Sequence, residues 1–238
     1  MVFSNSSTNQ GIVEQTRSLM RVDSTQWPVA KIVASANNWL DTVVGYAIGA
    51  DRRFQFDDTN HTALPEGTTA LTINQSDYSF LTDQQGNTIL TLIGVSVLQS
   101  GKYQPLTPVD RNDPSYDPST FGTVSATLPT QYDKIADNII RLDILPSATV
   151  AAGLKFYFQR TPSYFVAADT TKQPGVAPII HRGFVIACAY DGALTLGLEN
   201  LQALAVERQM ELDKMERYFS ERNQDETVIM RSEPLAYE

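Results

Sequence analysis

The sequence predicts an α+β protein, with a helical bundle built from its N- and C-terminal helices and an antiparallel, β-sandwich-like domain inserted between them. Three observations predict it. From Val29 to Ile48 apolar residues recur at three-and-four spacing, the mark of an amphipathic helix. Between Asp51 and Phe80 that spacing gives way to alternation, in Leu71 and Ile73 and then Tyr78 and Phe80. After Ala177 the helical spacing returns. The first junction is dense in turn formers: Asp57, Asp58, Asn60, Pro65 and Gly67. Asp and Asn bond their own backbone, Pro presets φ and Gly permits positive φ, so a chain leaving a helix can reverse there.

In chain order, residues 1–10 are rich in Ser, Asn, Thr and Gln. So little apolar surface predicts disorder, because burial does not offset ordering entropy. Gly11 to Arg21 reads as a short helix with Ile12, Leu19 and Met20 on one face, broken by Asp23-Ser24-Thr25. Pro28 suits a first helical position, where its missing N–H needs no partner. The helix it opens carries Val29, Ile32, Val33, Ala36, Leu40, Val43, Val44, Ala47 and Ile48, and should end near Gly49. The helical part is then 11–52 with 177–223, the β domain 53–176, and 224–238 a tail without periodicity.

Within the β domain, strands are expected over Leu71–Asn74, Asp77–Phe80, Ile89–Leu98, Tyr103–Leu106, Tyr132–Ala136, Ile139–Leu145 and Leu154–Arg160. Asp137-Asn138 is a plausible hairpin turn. In the last strand Leu154, Phe156 and Phe158 share one face, and Lys155, Tyr157 and Gln159 the other. The Pro108–Thr130 loop holds four prolines and is too long for a simple connector.

Pro178 opens a helix to about Leu196 that is apolar nearly all round, interrupted by His181, Arg182 and Asp191. A central Asp and a near-terminal Arg argue against a membrane span. Such a helix is buried, and a surplus apolar face often meets another subunit. Gly197 suits a C-cap and Asn200 an N-cap. The last helix, Leu201 to about Arg222, places Leu201, Ala205, Leu212, Met215 and Phe219 on one stripe, opposite Glu207, Glu211, Asp213, Glu216 and Glu221.

The 238-residue chain carries a net charge of −9, with 42% hydrophobic and 19% charged residues, an ordinary globular composition. Its basic residues are scattered, which disfavours broad phosphate binding. One cysteine, Cys188, excludes an intrachain disulfide framework and lies in an apolar run. The first residues lack the basic start and apolar core of a signal peptide, so a cytoplasmic site of synthesis is expected.

The chemistry-bearing motifs are sparse. The two histidines, His61 and His181, are far apart. His61 sits in D-D-T-N-H, which lacks the ligand order and distal Glu of a calcium loop and reads as a turn. His181 reads as a packing or hydrogen-bonding residue. No phosphate loop, dinucleotide fingerprint, nucleophile elbow or C-x-x-C occurs, and neither enzyme activity nor a metal or cofactor is expected. A glycan-binding or hydrolytic sandwich is the competing class, because paired carboxylates are a spatial rather than a sequential feature. The acidic face of the last helix is either solvated or, repeated around a ring, the lining of a channel along which DNA slides.

Several segments recur in a familiar order: F-Q-F-D-D-T-N-H-T-x-L-P, T-T-A-L-T-I-N-Q-S-D-Y-S-F, P-T-Q-Y-D-K-I-A-D-N-I-I-R-L-D-I-L-P, L-K-F-Y-F-Q-R-T-P-S-Y-F and D-T-T-K-Q-P-G-V-A-P-I-I-H-R. Across Gly11 to Arg222 the chain resembles the head-to-tail adaptor (neck) proteins of tailed bacteriophages. The resemblance implies a structural virion protein, made in the host cytoplasm, that forms a ring, usually of twelve copies. Such a ring sits between the portal protein ring and the tail or nozzle proteins, bears fibres in some cases, and lets double-stranded DNA pass without specific binding. It implies no membrane. A stopper or tail-completion protein is the nearest alternative. On this reading Ile32, Leu40, Val44, Ile180, Phe184 and Leu194 are candidates for the subunit interface, and Glu207, Glu211 and Glu216 for the channel lining. Val228, Ile229, Met230, Leu235 and Tyr237 are candidates for docking the C-terminal tail on the portal.

Overall fold

A computed structural model of the chain describes residues 1–50, 66–83, 86–109, 121, 123–124 and 128–220. The fold is mixed α+β. Among the described residues there are four helices, two four-stranded sheets and a two-stranded pairing. The turn-rich junction 51–65 with His61, most of the Pro108–Thr130 loop and the tail after Ser220 lie outside the described residues.

The helices are α1 (Ile12–Met20), α2 (Val29–Ala50), α3 (His181–Leu196, entered through a 3-10 turn at Pro178–Ile180) and α4 (Leu201–Ser220). The helix α3 packs against each of the other three, which is why it is apolar on every side. Two glycines set how closely. A Cβ on Gly183 would come within 3.0–3.2 Å of the Trp39 indole, and one on Gly192 would collide with the thioether of Met20 and approach Trp27. Gly197 closes α3 in the left-handed conformation (φ 67°), its N–H donating to the Ala193 carbonyl. The break between α1 and α2 is an Asp turn, in which the Asp23 carboxylate accepts from the N–H groups of Thr25 (2.8 Å) and Gln26 (2.9 Å).

Two local expectations change. Residues 1–10 are tied down rather than disordered. Phe3 is fully buried and stacks on Phe165 with centroids 4.7 Å apart, and its N–H donates to the Lys172 carbonyl at 2.7 Å. A single large aromatic side chain offsets the ordering of a polar segment. On α1 the buried face is Ile12, Val13, Thr16 and Met20, and Leu19 falls at its exposed edge.

The first sheet runs β1-β10-β3-β4, from Glu66–Leu71, Val150–Arg160, Ile89–Gln99 and Lys102–Pro105. The second runs β2-β8-β7-β5, from Asp77–Ser79, Ile139–Leu142, Gln131–Ala136 and Thr107–Pro108. Leu71, Leu92, Val95, Leu154, Phe156 and Phe158 of the first sheet share one hydrophobic cluster with Tyr78, Tyr132, Ile140 and Leu142 of the second. A separate cluster fills the helical part. The β7–β8 hairpin turns at Asp137-Asn138, and Leu154, Phe156 and Phe158 face inward, both as expected.

Pairing is not wholly antiparallel. Strand β5 pairs parallel with β7, and β6 (Thr123–Val124) pairs parallel with β9 (Ile144–Leu145). Parallel neighbours need a long connection, and the residues between Pro108 and Gln131 supply one. The strand expected at Leu71–Asn74 lies earlier, at Glu66–Leu71, because Asn74 takes positive φ (58°) in a turn. In β3, Leu90 is exposed although the alternation pairs it with Leu92. The register against β10 steps from Tyr157↔Gly94 to Phe158↔Leu92 and from Gln159↔Thr91 to Arg160↔Ile89. The two skipped residues, Ile93 and Leu90, bulge outward and are β3's two exposed large apolar side chains.

Candidate interaction surface

The helical core uses most of the apolar surface that the sequence assigns to a neighbouring subunit. Ile32, Leu40, Val44, Ile180 and Phe184 are all buried inside the chain's own core. A side chain without exposed surface cannot meet a neighbour, so these five are core residues, and only Leu194 of the six is exposed, at 57%. By length and composition, Pro178–Leu196 would pass as a membrane span, but its residues are largely covered by the other helices.

The three candidate channel-lining glutamates do not share a face. Glu207 and Glu216 are nine residues apart, two and a half turns, and so project from opposite sides of α4. Arg182 of α3 holds Glu207 at 3.2 Å and lies 4.0 Å from Glu211, which also meets Lys214 at 3.3 Å. Glu216 alone is fully on the surface. On α4 the expected Met215 and Phe219 are buried, Leu201 and Leu212 pack half-buried against the same core, and Leu204 is a buried residue outside the expected stripe. Asn200 does not cap with its side chain oxygen; its amide donates to the Leu19 carbonyl at 3.3 Å, which ties the start of α4 to α1. Arg208 fills the gap in the stripe, its guanidinium 5.7 Å from the Trp39 ring centroid and 5.2 Å from that of Tyr190.

Among the grooves open on the helical part are one of about 700 Å³ between α1 and α3 and one of about 690 Å³ between the second half of α2 and the end of α4. Gly45, Tyr46 and Gly49 line the second from α2, and Glu216, Phe219 and Ser220 from α4. Among the described residues, a Cβ built on Gly45 or Gly49 would meet no atom within 4 Å. Asp41 and Glu216 make its rim acidic. On another side of α4, Val206 and Met210 are 62% and 63% exposed, one turn apart. The signal for the α2–α4 groove was in the sequence, as Gly45-Tyr-Ala-Ile-Gly49 within a helical run. Val206 and Met210 stood out there only as apolar residues on an otherwise charged face.

The remaining polar groups serve structure. His181 is buried; its Nε2–H donates to the Val176 carbonyl (2.8 Å), leaving Nδ1 to accept from the Met1 amino group (2.9 Å). Cys188 is fully buried, and burial pushes its thiol well above the ordinary range, so it is a poor nucleophile. Among the described residues no cluster of His, Cys, Asp and Glu is arranged to hold a metal ion. Arg160 and Asp83 form a buried ion pair at 3.2 Å, and the Asp83 carboxylate also accepts from the Asn87 N–H (2.7 Å). This fastens the loop before β3 to the end of β10. The portal-docking candidates Val228, Ile229, Met230, Leu235 and Tyr237 lie outside the described residues.

Among the described residues the helical part thus presents a groove with an acidic rim and, on α4, the exposed apolar pair Val206 and Met210. No family model matches the chain. No curated protein matches it significantly in sequence.

Proposed function

We propose that this chain is a structural virion protein, a head-to-tail adaptor that forms a ring between portal and tail and continues the DNA channel. The segments between Gly11 and Arg222 that resemble neck proteins support the reading, and so does a mixed α+β fold with helices at both ends of the chain. In this reading α1 to α4 are a ring-forming bundle, and the β part is an inserted sandwich-like domain that projects toward tail components. The observation that carries it is the open groove beside α2 together with exposed Val206 and Met210. Both are apolar surface that a ring would bury.

The role is assembly rather than catalysis, with no cofactor. The net charge of −9 suits a conduit to which DNA does not adhere. The tail carrying Val228, Ile229, Met230, Leu235 and Tyr237 is the arm that reaches the portal. Native mass spectrometry of the protein, alone and mixed with the portal ring from the same virus, tests the reading. A portal ring carrying a matching set of these chains is the expected result. Binding to tail proteins but not to the portal would make the protein a stopper or tail-completion factor. A monomer that binds neither would return the case to a glycan-binding β module.

A further inference from the structure

We propose that Tyr164 is the pivot between the two parts of the chain, and that the hydrogen bond from its hydroxyl to Asp41 is a latch holding the β part in one orientation against the helices. The proposal does not depend on the ring reading above.

The two parts have separate cores. No residue belongs to both hydrophobic clusters, and among the described residues no helix packs on a strand as the helices pack on one another. Two units that share no large apolar interface move relative to one another unless something else ties them. Of the two crossings between them, residues 51–65 lie outside the described residues, and the other runs from Arg160 to Phe165.

Along that second crossing the partners change within one residue. Thr161 belongs to the β part: its N–H donates to the Thr88 carbonyl (2.9 Å), and its hydroxyl oxygen accepts from the Thr88 N–H (3.1 Å). The Ser163 hydroxyl is still on that side, donating to Asn87 Oδ1 at 3.2 Å. Phe165 belongs to the helical part, with both backbone groups bonded to Asn37 of α2 and its buried ring against Phe3 and Phe184. Between these two fixed ends stands Tyr164 alone. A hinge is a few residues whose φ and ψ absorb the change in direction between rigid bodies, and here one residue separates them.

The side chain of the same residue carries the latch. Tyr164 is 40% exposed, and its hydroxyl donates to Asp41 Oδ1 at 2.7 Å. With the ring tied to α2, the Cα–Cβ bond of Tyr164 no longer turns freely against the helices, which restricts the torsions of the pivot. Lys172 adds a second tie, its Nζ donating to the Tyr164 carbonyl at 2.7 Å. Both ties lie at the surface, so they can open and re-form while the two cores stay closed.

The test measures the distance between spin labels on the full-length protein, at Gln202→Cys in α4 and Gln104→Cys in β4. Labelled chain is diluted with unlabelled chain and read by double electron–electron resonance. Cys188 is buried and stays unlabelled. Pairs within one part, Ala34→Cys with Gln202→Cys and Ser79→Cys with Gln104→Cys, report whether each part stays rigid. One narrow distance between the parts is expected when the latch is intact. Tyr164→Phe and Asp41→Ala should each replace it with a broad distribution and leave the distances within each part narrow. Asp41→Asn keeps an acceptor oxygen and should keep the narrow distance. A narrow distance that survives both Tyr164→Phe and Asp41→Ala would show that other contacts hold the two parts, and would overturn the proposal. So would a broad distribution with the latch intact. Broadening within either part would mean that the residue supports the fold rather than an orientation, which overturns it as well.

Discussion

The carboxamide of Asn37 reads the backbone of Phe165 as a neighbouring strand would: its Oδ1 accepts from the Phe165 N–H at 2.8 Å, and its Nδ2 donates to the Phe165 carbonyl at 3.1 Å. The two residues are 128 positions apart. The pair fixes the chain where it leaves the β part, and it sets the Phe165 ring between Phe3 (4.7 Å) and Phe184 (6.3 Å, edge-on). One α2 side chain thereby connects the N-terminal segment, the segment after β10 and α3.

Asn37→Ala should therefore destabilise the protein by about 1–3 kcal/mol, because two backbone groups lose their partner together. Chemical denaturation measures it. Asn37→Asp keeps the acceptor and loses the donor, and should fall between the two. An unchanged midpoint in both variants would show that Phe165 is held by its ring alone.

The buried Arg160–Asp83 pair predicts a larger effect. Arg160→Leu leaves the Asp83 carboxylate in a buried site without this cation, and breaking a buried pair costs about 3–5 kcal/mol. Replacing both partners together by apolar residues should recover part of the loss. If the double variant is as unstable as the sum of the singles, the pair is not coupled.

Tyr164 gives a pH dependence. Partial burial, and then its hydrogen bond to Asp41 at 2.7 Å, push its phenol up to about 12. The unfolded chain ionises near the ordinary value of about 10, so it releases its proton first as pH rises. The contribution is complete below about 10 and is lost as pH climbs through the folded value of about 12. Denaturation midpoints of the wild type and Tyr164→Phe should be parallel at neutral pH and converge in this alkaline window. Midpoints that stay parallel throughout would dissociate the phenol from stability.

Cys188 should resist alkylation in the native protein and react on unfolding. Its sulfur is fully buried, facing the Ile32 carbonyl at 3.8 Å, and burial keeps it protonated. Labelling with a maleimide, followed by mass spectrometry across a denaturant series, reads this directly. Rapid labelling without denaturant would mean that α3 is not held closed by its neighbours.

What was legible in the sequence follows from local periodicity. The α2 pattern at Ile32, Ala36, Leu40, Val43 and Ala47 and the β10 pattern at Leu154, Phe156 and Phe158 were read correctly, because each side chain's direction depends on its own backbone alone. Periodicity does not show the bulges opposite β10 that turn Leu90 outward. The reading failed at Phe3, which is one apolar residue without a repeating pattern around it.

The candidate surface divides in the same way. Sequence periodicity marked α2 and α3 as more apolar than a lone helix needs, and in this it was right. It assigned the surplus to a neighbouring subunit, whereas Ile32, Leu40, Val44, Ile180 and Phe184 are covered by the chain's own helices.

By itself, then, the sequence determined that, among the described residues, helices precede and follow the strands, since the 3.6 and 2 residue periods are imposed by backbone geometry within each segment. Tertiary structure alone decided which faces remain open. That depends on how closely α3 draws α1, α2 and α4 together, a distance set by Gly183 and Gly192 against Trp39 and Met20. Close packing seals the core around α3, and no local pattern encodes which distant segment will cover a given face.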